Sequence, residues 1–391
     1  MTKKGVGKSK KEEALEAGKE AAALALENGE IEDCDLVMVH ATEGYEDYEK
    51  LLEGVREKTG EAPVVGTLAG GIITDDGADE NKERVGVLVI KSDKIKFTPV
   101  FAENLKDNSE EAGKSIAEQL KEVWPNDAKF LLTFPGGLTV NPDALFRGLE
   151  NNLPESIPFV GGTSGGTAKL ERTSQFFNGS VFSDSVVCVL ISGDIDFETA
   201  VSHGSTPTEL KRTVTRAEGN IIYEFNHEPA FQIYKDFIPG VDRLDLLAQG
   251  SVCLGTEMPE ELKEEYEDIL LRIPLSILDN DALLMAAEWP EGTQVTICER
   301  DRTKIIESSS GAARKLKEKM KREPELILNF ECLGRGASLL EKDVPQKILR
   351  AYRQNLSYDL PWFGWFTYGE IAPIGDKNEF HNWTGILLAI Y

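Results

Sequence analysis

Pro63-Val64-Val65-Gly66-Thr67-Leu68-Ala69-Gly70-Gly71 recurs 95 residues later, without a gap, as Pro158-Phe159-Val160-Gly161-Gly162-Thr163-Ser164-Gly165-Gly166. Its surroundings recur with it. Residues 34–40 and 128–134 are apolar runs of strand length, and helical stretches at 45–58 and 141–151 link them to the glycine segment. After the segment come an acidic or polar loop and an apolar strand (84–90; 185–191). A Ser-Asp-Lys or Ser-Gly-Asp turn then leads to another strand (95–100; 195–201), a pattern that reads as a hairpin. A third, diverged copy has a strand at 325–330, a helix at 343–356, a glycine segment at 363–370 and a closing strand at 382–391. Gly364 and Gly369 keep the spacing of Gly161 and Gly166. Three copies of one element order argue for duplication of a supersecondary unit. Glycines inside a β-prone stretch mark a bend or the close approach of another backbone. Packing between units and backbone N–H groups turned to a ligand both fit.

The fold class that follows is α+β: repeated strand-helix-strand-hairpin units forming mainly antiparallel sheets sandwiched by helices, in two halves. A Lys-rich tail (1–11) precedes the halves, 12–218 and 219–391. Runs that are apolar throughout, such as 131–134, imply strands buried on both faces. A doubly wound parallel sheet is disfavoured, because no G-x-G-x-x-G accompanies a strand-to-helix turn. The tail's Gly7-Lys8-Ser9 lacks the earlier glycine and preceding strand of a phosphate loop and reads as solvated. Residues 207–313 carry their own signals. Strands are expected at 208–217, 270–277 and 293–300, helices at 228–237 and 260–266, and an amphipathic helix at 308–321 capped by Ser309.

Of 391 residues, 43 are basic and 68 acidic, a formal charge of -25. Such a field repels phosphate backbones and anionic lipid, so neither nucleic acid nor membrane is an expected partner. Five dispersed cysteines suit reduced thiols in a cytoplasm. Four scattered histidines and the absence of any CxxC spacing give no metal nest, and no cofactor is expected. The cluster Asp75-Asp76-Gly77-Ala78-Asp79 lacks the ligand spacing of a calcium loop.

The C-terminal stretch holds Cys332-Leu333-Gly334-Arg335-Gly336, then Gly364-Trp365-Phe366-Thr367-Tyr368-Gly369-Glu370-Ile371-Ala372-Pro373, then His381-Asn382-Trp383-Thr384. In this order the motifs resemble the C-terminal half of the FIST domain, and the glycine segments resemble its N-terminal half. The likeness covers roughly 9–391. It implies a non-catalytic sensory module that binds a small polar metabolite, amino acids being the usual proposal for the family, with a signalling protein as a further partner. It carries over no catalytic residues. The residues themselves suggest a site. Arg335 offers a planar fork for a carboxylate and Glu370 an acceptor for an ammonium group. Gly336, Tyr368, Gly369, Asn382 and Thr384 surround them in sequence. The alternative is an internal Arg335–Glu370 pair that pins the third unit. Two other functions fit as well: a thiol-dependent hydrolase using Cys332 with His381 and Glu370, and a protein-interaction scaffold.

Overall fold

The computed structural model describes residues 2–238, 252–263, 266–356 and 360–391. The first unit runs β1 (Thr2–Ser9), α1 (Ala14–Gly29), β2 (Leu36–Ala41), α2 (Tyr48–Thr59), β3 (Val64–Leu68), β4 (Ile72–Thr74), β5 (Gly77–Asp79), β6 (Val85–Ser92) and β7 (Ile95–Glu103). The second runs α3 (Leu105–Lys121), β8 (Ala128–Pro135), α4 (Pro142–Glu150), β9 (Phe159–Gly162), β10 (Gln175–Phe177), β11 (Ser180–Phe182), β12 (Ser185–Gly193) and β13 (Phe197–Ser202). An insert follows: β14 (Ser205–Glu218), β15 (Ile221–Phe225), β16 (Glu228–Pro229), α5 (Gln232–Phe237), β17 (Val252–Glu257), α6 (Glu260–Lys263), β18 (Ile269–Arg272), β19 (Pro274–Ile277), β20 (Leu283–Met285) and β21 (Gln294–Arg300). The third unit runs α7 (Arg302–Lys319), β22 (Leu326–Cys332), α8 (Val344–Asn355), β23 (Trp362–Thr367), β24 (Glu370–Ile374), β25 (Lys377–His381) and β26 (Gly385–Ile390).

The protein is α+β with mostly antiparallel sheets. Each unit builds the same three-strand heart: β6-β2-β3, β12-β8-β9 and β26-β22-β23. Within each, the first strand lies parallel to the glycine strand and antiparallel to the closing strand. Strands are then exchanged around the ring. Hairpin β4–β5 joins β23, β10–β11 joins β3, and β24–β25 joins β9. On the far edges β7 joins β12 and β13 joins β26, while β1 takes the matching place beside β6.

That exchange corrects two expectations. The strands at 84–90 and 95–100 are joined by a tight turn but do not pair. β6 and β7 lie in different sheets, as do β12 and β13, so each turn is a corner that hands the chain to the next sheet. The hairpins are β4–β5, β10–β11 and β24–β25, the first two in stretches that read as loops. The Lys-rich segment is likewise no solvated tail, because Thr2–Ser9 pairs along its length with β6. Val6 is buried, and Lys4 and Lys8 reach Glu325 (2.8 Å) and Asp76 (2.6 Å).

The three sheets enclose one core whose inward side chains come in threes. Leu36, Phe130 and Leu326 form one layer and Met38, Leu132 and Leu328 the next, all in one buried cluster. His40, Phe134 and Phe330 follow at the equivalent position, gathered around Trp365. Its ring stacks on His40 at 3.6 Å and meets Phe330 and Phe134 at 4.9 and 5.4 Å. Helix pairs α1–α2, α3–α4 and α7–α8 bury the outer faces in three further clusters. Gly66, Gly161 and Gly364 sit opposite Val39, Thr133 and Asn329 in the parallel ladders. A Cβ at each would lie 1.7, 2.3 and 2.0 Å from that neighbour's carbonyl oxygen. Close backbone approach therefore accounts for this glycine of each segment.

The inserted elements form an eight-stranded sheet in the order β18-β17-β21-β14-β15-β20-β19, with β16 on β15. The expected strand at 270–277 divides at Ile273 into β18 and β19, at opposite ends of that sheet. The helix expected at 228–237 shortens to α5, and the two residues after Lys263 in the helix expected at 260–266 lie outside the described residues. Asp301, not Ser309, caps α7 by accepting from Lys304 N. Ser309 is a buried mid-helix residue that donates to Ile305 O (2.7 Å).

Candidate functional site

β22 ends on Glu331 and Cys332 and turns at once through a short 3-10 segment, Leu333–Arg335. That turn folds Arg335 back into the interior, where it is 0% exposed. Its Nε lies 2.6 Å from Glu331 Oε1, a contact of charges without hydrogen-bond alignment. Its terminal nitrogens donate to Ser202 O, Ser202 Oγ (3.1 Å), Ser309 Oγ (2.6 Å) and the Tyr352 hydroxyl (3.1 Å). Burial opposes the guanidinium charge, but Glu331 and its neighbours outweigh it and raise the Arg335 pKa. Burial pushes Glu331 up, with Arg335 pulling against it. Arg335 thus pairs with Glu331 four residues before it, not with the expected Glu370. Glu370 instead accepts from Thr367 Oγ1, Thr384 N (3.2 Å) and Thr384 Oγ1 (2.7 Å), and burial lifts its pKa to about 8.

The other expected residues divide between several environments. Gly336 N donates to Leu333 O, and a Cβ on Gly336 would meet Glu80 Oε2 at 2.5 Å. Tyr368 ties the second and third units together, its N donating to Thr163 Oγ1 (3.2 Å) and its hydroxyl to Thr167 O (2.6 Å). Gly369 O accepts from Thr163 N (2.8 Å), and Asn382 Oδ1 accepts from Ile273 N (3.3 Å). Cys332 N donates to Thr384 O (2.9 Å), which places Cys332, Thr384 and Glu370 in one buried layer. Burial, then the Glu370 charge, pushes the Cys332 thiol up, the reverse of what a thiolate nucleophile needs. His381 lies opposite Glu370 in the β24–β25 ladder. Its Nε2 is 3.0 Å from Ala372 O, and burial lowers its pKa to about 4.

A cleft of about 790 Å³ opens between α4, the β24–β25 hairpin and the inserted sheet. Asn141 caps α4 by accepting from Ala144 N, and Asp143, Phe146, Arg147 and Glu150 follow at the spacing that places four side chains on one helix face. All four line the cleft, with Met258, Leu262, Leu270, Ile374 and Trp289 among its apolar walls. Arg272, at the end of β18, is 2% exposed. It donates to Leu271 O (3.1 Å) and Phe380 O and pairs with Glu379 at 3.2 Å. Two residues of the lining, Arg272 and Trp289, each carry a donor that is closed off from solvent and has no partner among the described residues, Arg272 Nε and Trp289 Nε1. A buried unpaired donor is costly, by about 1–3 kcal/mol. Asp143 accepts from Glu288 N (2.7 Å), and burial raises its pKa against the pull of Arg272. For Glu379, burial works upward, but Arg272 and Lys377 prevail and lower it. Glu288 holds Arg147 (3.0 Å) and Asn141 (2.8 Å), and Glu150 accepts from Asn378 (3.0 Å). The cleft therefore combines arginines, carboxylates and apolar walls, the make-up of a small-molecule site.

None of these cleft residues stood out in the sequence as a site. The readable signal was Arg272, a lone charge inside the apolar run Ile269-Leu270-Leu271-Arg272-Ile273-Pro274-Leu275. The described residues include no group of three or more His, Cys, Asp or Glu arranged to hold a metal ion, and no helix long and apolar enough to cross a membrane.

Among similar proteins, an uncharacterized protein of Methanocaldococcus jannaschii is 24% identical over 384 residues, covering 87% of this chain and 70% of its own. One from Mycobacterium tuberculosis is 25% identical over 386 residues, 97% of each chain. Among solved structures, a chorismatase aligns with a TM-score of 0.36 at 11% identity, covering 92% of this chain and 93% of its own. A cyanuric acid hydrolase from A. caulinodans aligns with a TM-score of 0.28 at 10% identity, covering 49% and 71%. Likenesses this low carry no inference about activity. The FIST N domain model matches residues 35–228 and the FIST C domain model residues 230–373, so this chain belongs to the FIST-domain family.

Proposed function

We propose that this protein is a non-catalytic sensory module that binds a small polar metabolite of amino-acid size in the cleft between α4, the β24–β25 hairpin and the inserted sheet. Family membership supports ligand sensing in general. The observation that carries the location is the cleft of about 790 Å³, whose lining joins Arg272, Trp289 and carboxylates to apolar walls. A ligand carboxylate would be met on the side of Arg272 and Trp289, and the carboxylates on the α4 side would receive an ammonium group. In this reading Arg335, Glu331 and Tyr352 form the rigid frame of the third unit, with Glu370 and Thr384 in a neighbouring buried layer. The shared pairing pattern of the three units supports an origin by internal repetition. Five free cysteines suit a reducing cytoplasm. The bound state would be read by a signalling partner through the inserted sheet, which forms one wall of the cleft.

A thermal-shift screen of the whole protein against amino acids and small carboxylates tests this directly. Ligand at 100 times its Kd stabilises by about 2.7 kcal/mol. The shift is expected to vanish in Trp289→Phe and Arg272→Ala at the same ligand concentration. Shifts that survive both substitutions would move the site elsewhere.

A further inference from the structure

A small cavity of about 40 Å³ enters the core between the first strands of the three units, β2, β8 and β22. Its walls are drawn from the first two core layers, Leu36 and Leu326, then Met38, Leu132 and Leu328. Neighbouring layers are two residues apart along a strand, so these walls run roughly 7 Å inward. The charged liners mark the mouth: Lys94, Asp194 and Arg322 are exposed, and Lys4 and Glu325 half-buried. Lys94 and Asp194 sit at the two corner turns, β6–β7 and β12–β13, and Arg322 and Glu325 at the entry to β22. The mouth therefore lies at the end of the barrel-like core where the chain passes from sheet to sheet, and it shares no residue with the cleft.

Size and charge together describe an occupant. On the same measure one water needs roughly 10–15 Å³, so the interior has room for about three groups of that size, and apolar walls favour methylenes over water. The mouth is cationic in a chain whose formal charge is -25: Lys4, Lys94 and Arg322 face two carboxylates, Asp194 and Glu325. All three cations act on Glu325, where burial works upward but Lys4, Arg322 and Lys94 prevail and lower the pKa. Only Lys4 is hydrogen-bonded there, at 2.8 Å. Arg322 stands 3.9 Å from Glu325, its guanidinium over the Tyr391 ring, and Lys94 stands 3.9 Å from Asp194. Such a mouth attracts an anion.

We infer that this cavity is a second binding site, separate from the cleft, for a short-chain aliphatic carboxylate. The tail enters between Leu36, Leu132 and Leu328, and the carboxylate stays at the mouth with Arg322 and Lys94. Each methylene taken into the cavity strengthens binding about fourfold until the space is filled. Chain length is therefore read by the core and charge by the rim.

Ligand-observed NMR titration of the full chain with acetate, butyrate, pentanoate, octanoate, pentanol and pentylamine tests this. Affinity is expected to climb from acetate to pentanoate, with octanoate no tighter and pentylamine far weaker. Arg322→Gln, at an exposed position, should weaken pentanoate up to about fivefold and leave pentanol unchanged. Ile390→Phe, which enlarges a half-buried liner, should abolish the gain with chain length. Trp289→Phe, in the cleft, should leave the whole series unchanged. A series flat in chain length, pentylamine binding as tightly as pentanoate, or binding by none of the six overturns the inference. So does pentanoate affinity unmoved by Arg322→Gln, a rise that survives in folded Ile390→Phe, or a series lost in Trp289→Phe. Should Ile390→Phe not fold, the wild-type series and Arg322→Gln decide.

Discussion

Arg335→Ala separates a structural guanidinium from a ligand-binding one. Arg335 is 0% exposed and its charge partner Glu331 is 1% exposed, so truncation leaves a carboxylate in the interior with only the neutral donors Asn329 Nδ2 (3.3 Å) and the Tyr352 hydroxyl (3.4 Å). Breaking one side of a buried pair is worth about 3–5 kcal/mol. The hydroxyl partners add little, because each keeps another bond. Ser309 donates to Ile305 O, Ser202 to Gly385 O, and Tyr352 lies 2.9 Å from Ser202 Oγ. The loss therefore falls on Glu331. Since burial already raises its pKa, Glu331 can escape by taking up a proton, and the penalty should be larger at pH 8 than at pH 5. Urea unfolding at both pH values measures it. The double replacement Glu331→Leu/Arg335→Met removes both charges and is expected to lose far less than either truncation alone. If Arg335→Ala stays within about 1 kcal/mol of wild type and weakens ligand binding instead, the frame reading fails and Arg335 returns to the site.

Two further outcomes follow from the core. Glu370 has its pKa raised from 4.5 to about 8, so its contribution is fully present below pH 4.5 and is lost as pH rises toward 8. Wild type should lose up to about 4 kcal/mol relative to Glu370→Gln between pH 5 and 8, and parallel stability curves would contradict the assignment. Gly364→Ala places a Cβ 2.0 Å from Asn329 O, a backbone atom that cannot swing aside. It should destabilise by about 3 kcal/mol or more in denaturant melts, whereas Gly292→Ala, with nothing within 4 Å but a φ of +90°, should show only backbone strain of about 1 kcal/mol.

The unit order was legible because a parallel β-strand pair bridged by a helix leaves a local signature: an apolar run, a helical period and a glycine at the crossing. What stayed hidden is non-local. The alternation in 84–90 and 95–100 is the same whether the strands pair with each other or with β2 and β12, and only three sheets closing on one core decide it. β1 was hidden by composition, since Lys3, Lys4 and Lys8 mask a strand in which Val6 alone is both apolar and buried. Arg335 was legible as a special residue but not its partner. The pairing follows from the 3-10 turn after Cys332, which no short motif announces. The cleft was least legible of all, because its residues come from five separate stretches of chain and only Arg272 breaks a local pattern.

The central claim, that a small ligand sits in the cleft against Trp289, is tested most directly by fluorine NMR of protein carrying 5-fluorotryptophan at its five tryptophans. Trp289→Phe assigns the relevant signal. The account predicts that titration with the tightest ligand from the amino-acid panel moves the Trp289 resonance first and saturably, while Trp362 and Trp365, sealed in the interior, stay in place. A Trp289 signal that does not move as the thermal shift saturates would contradict it.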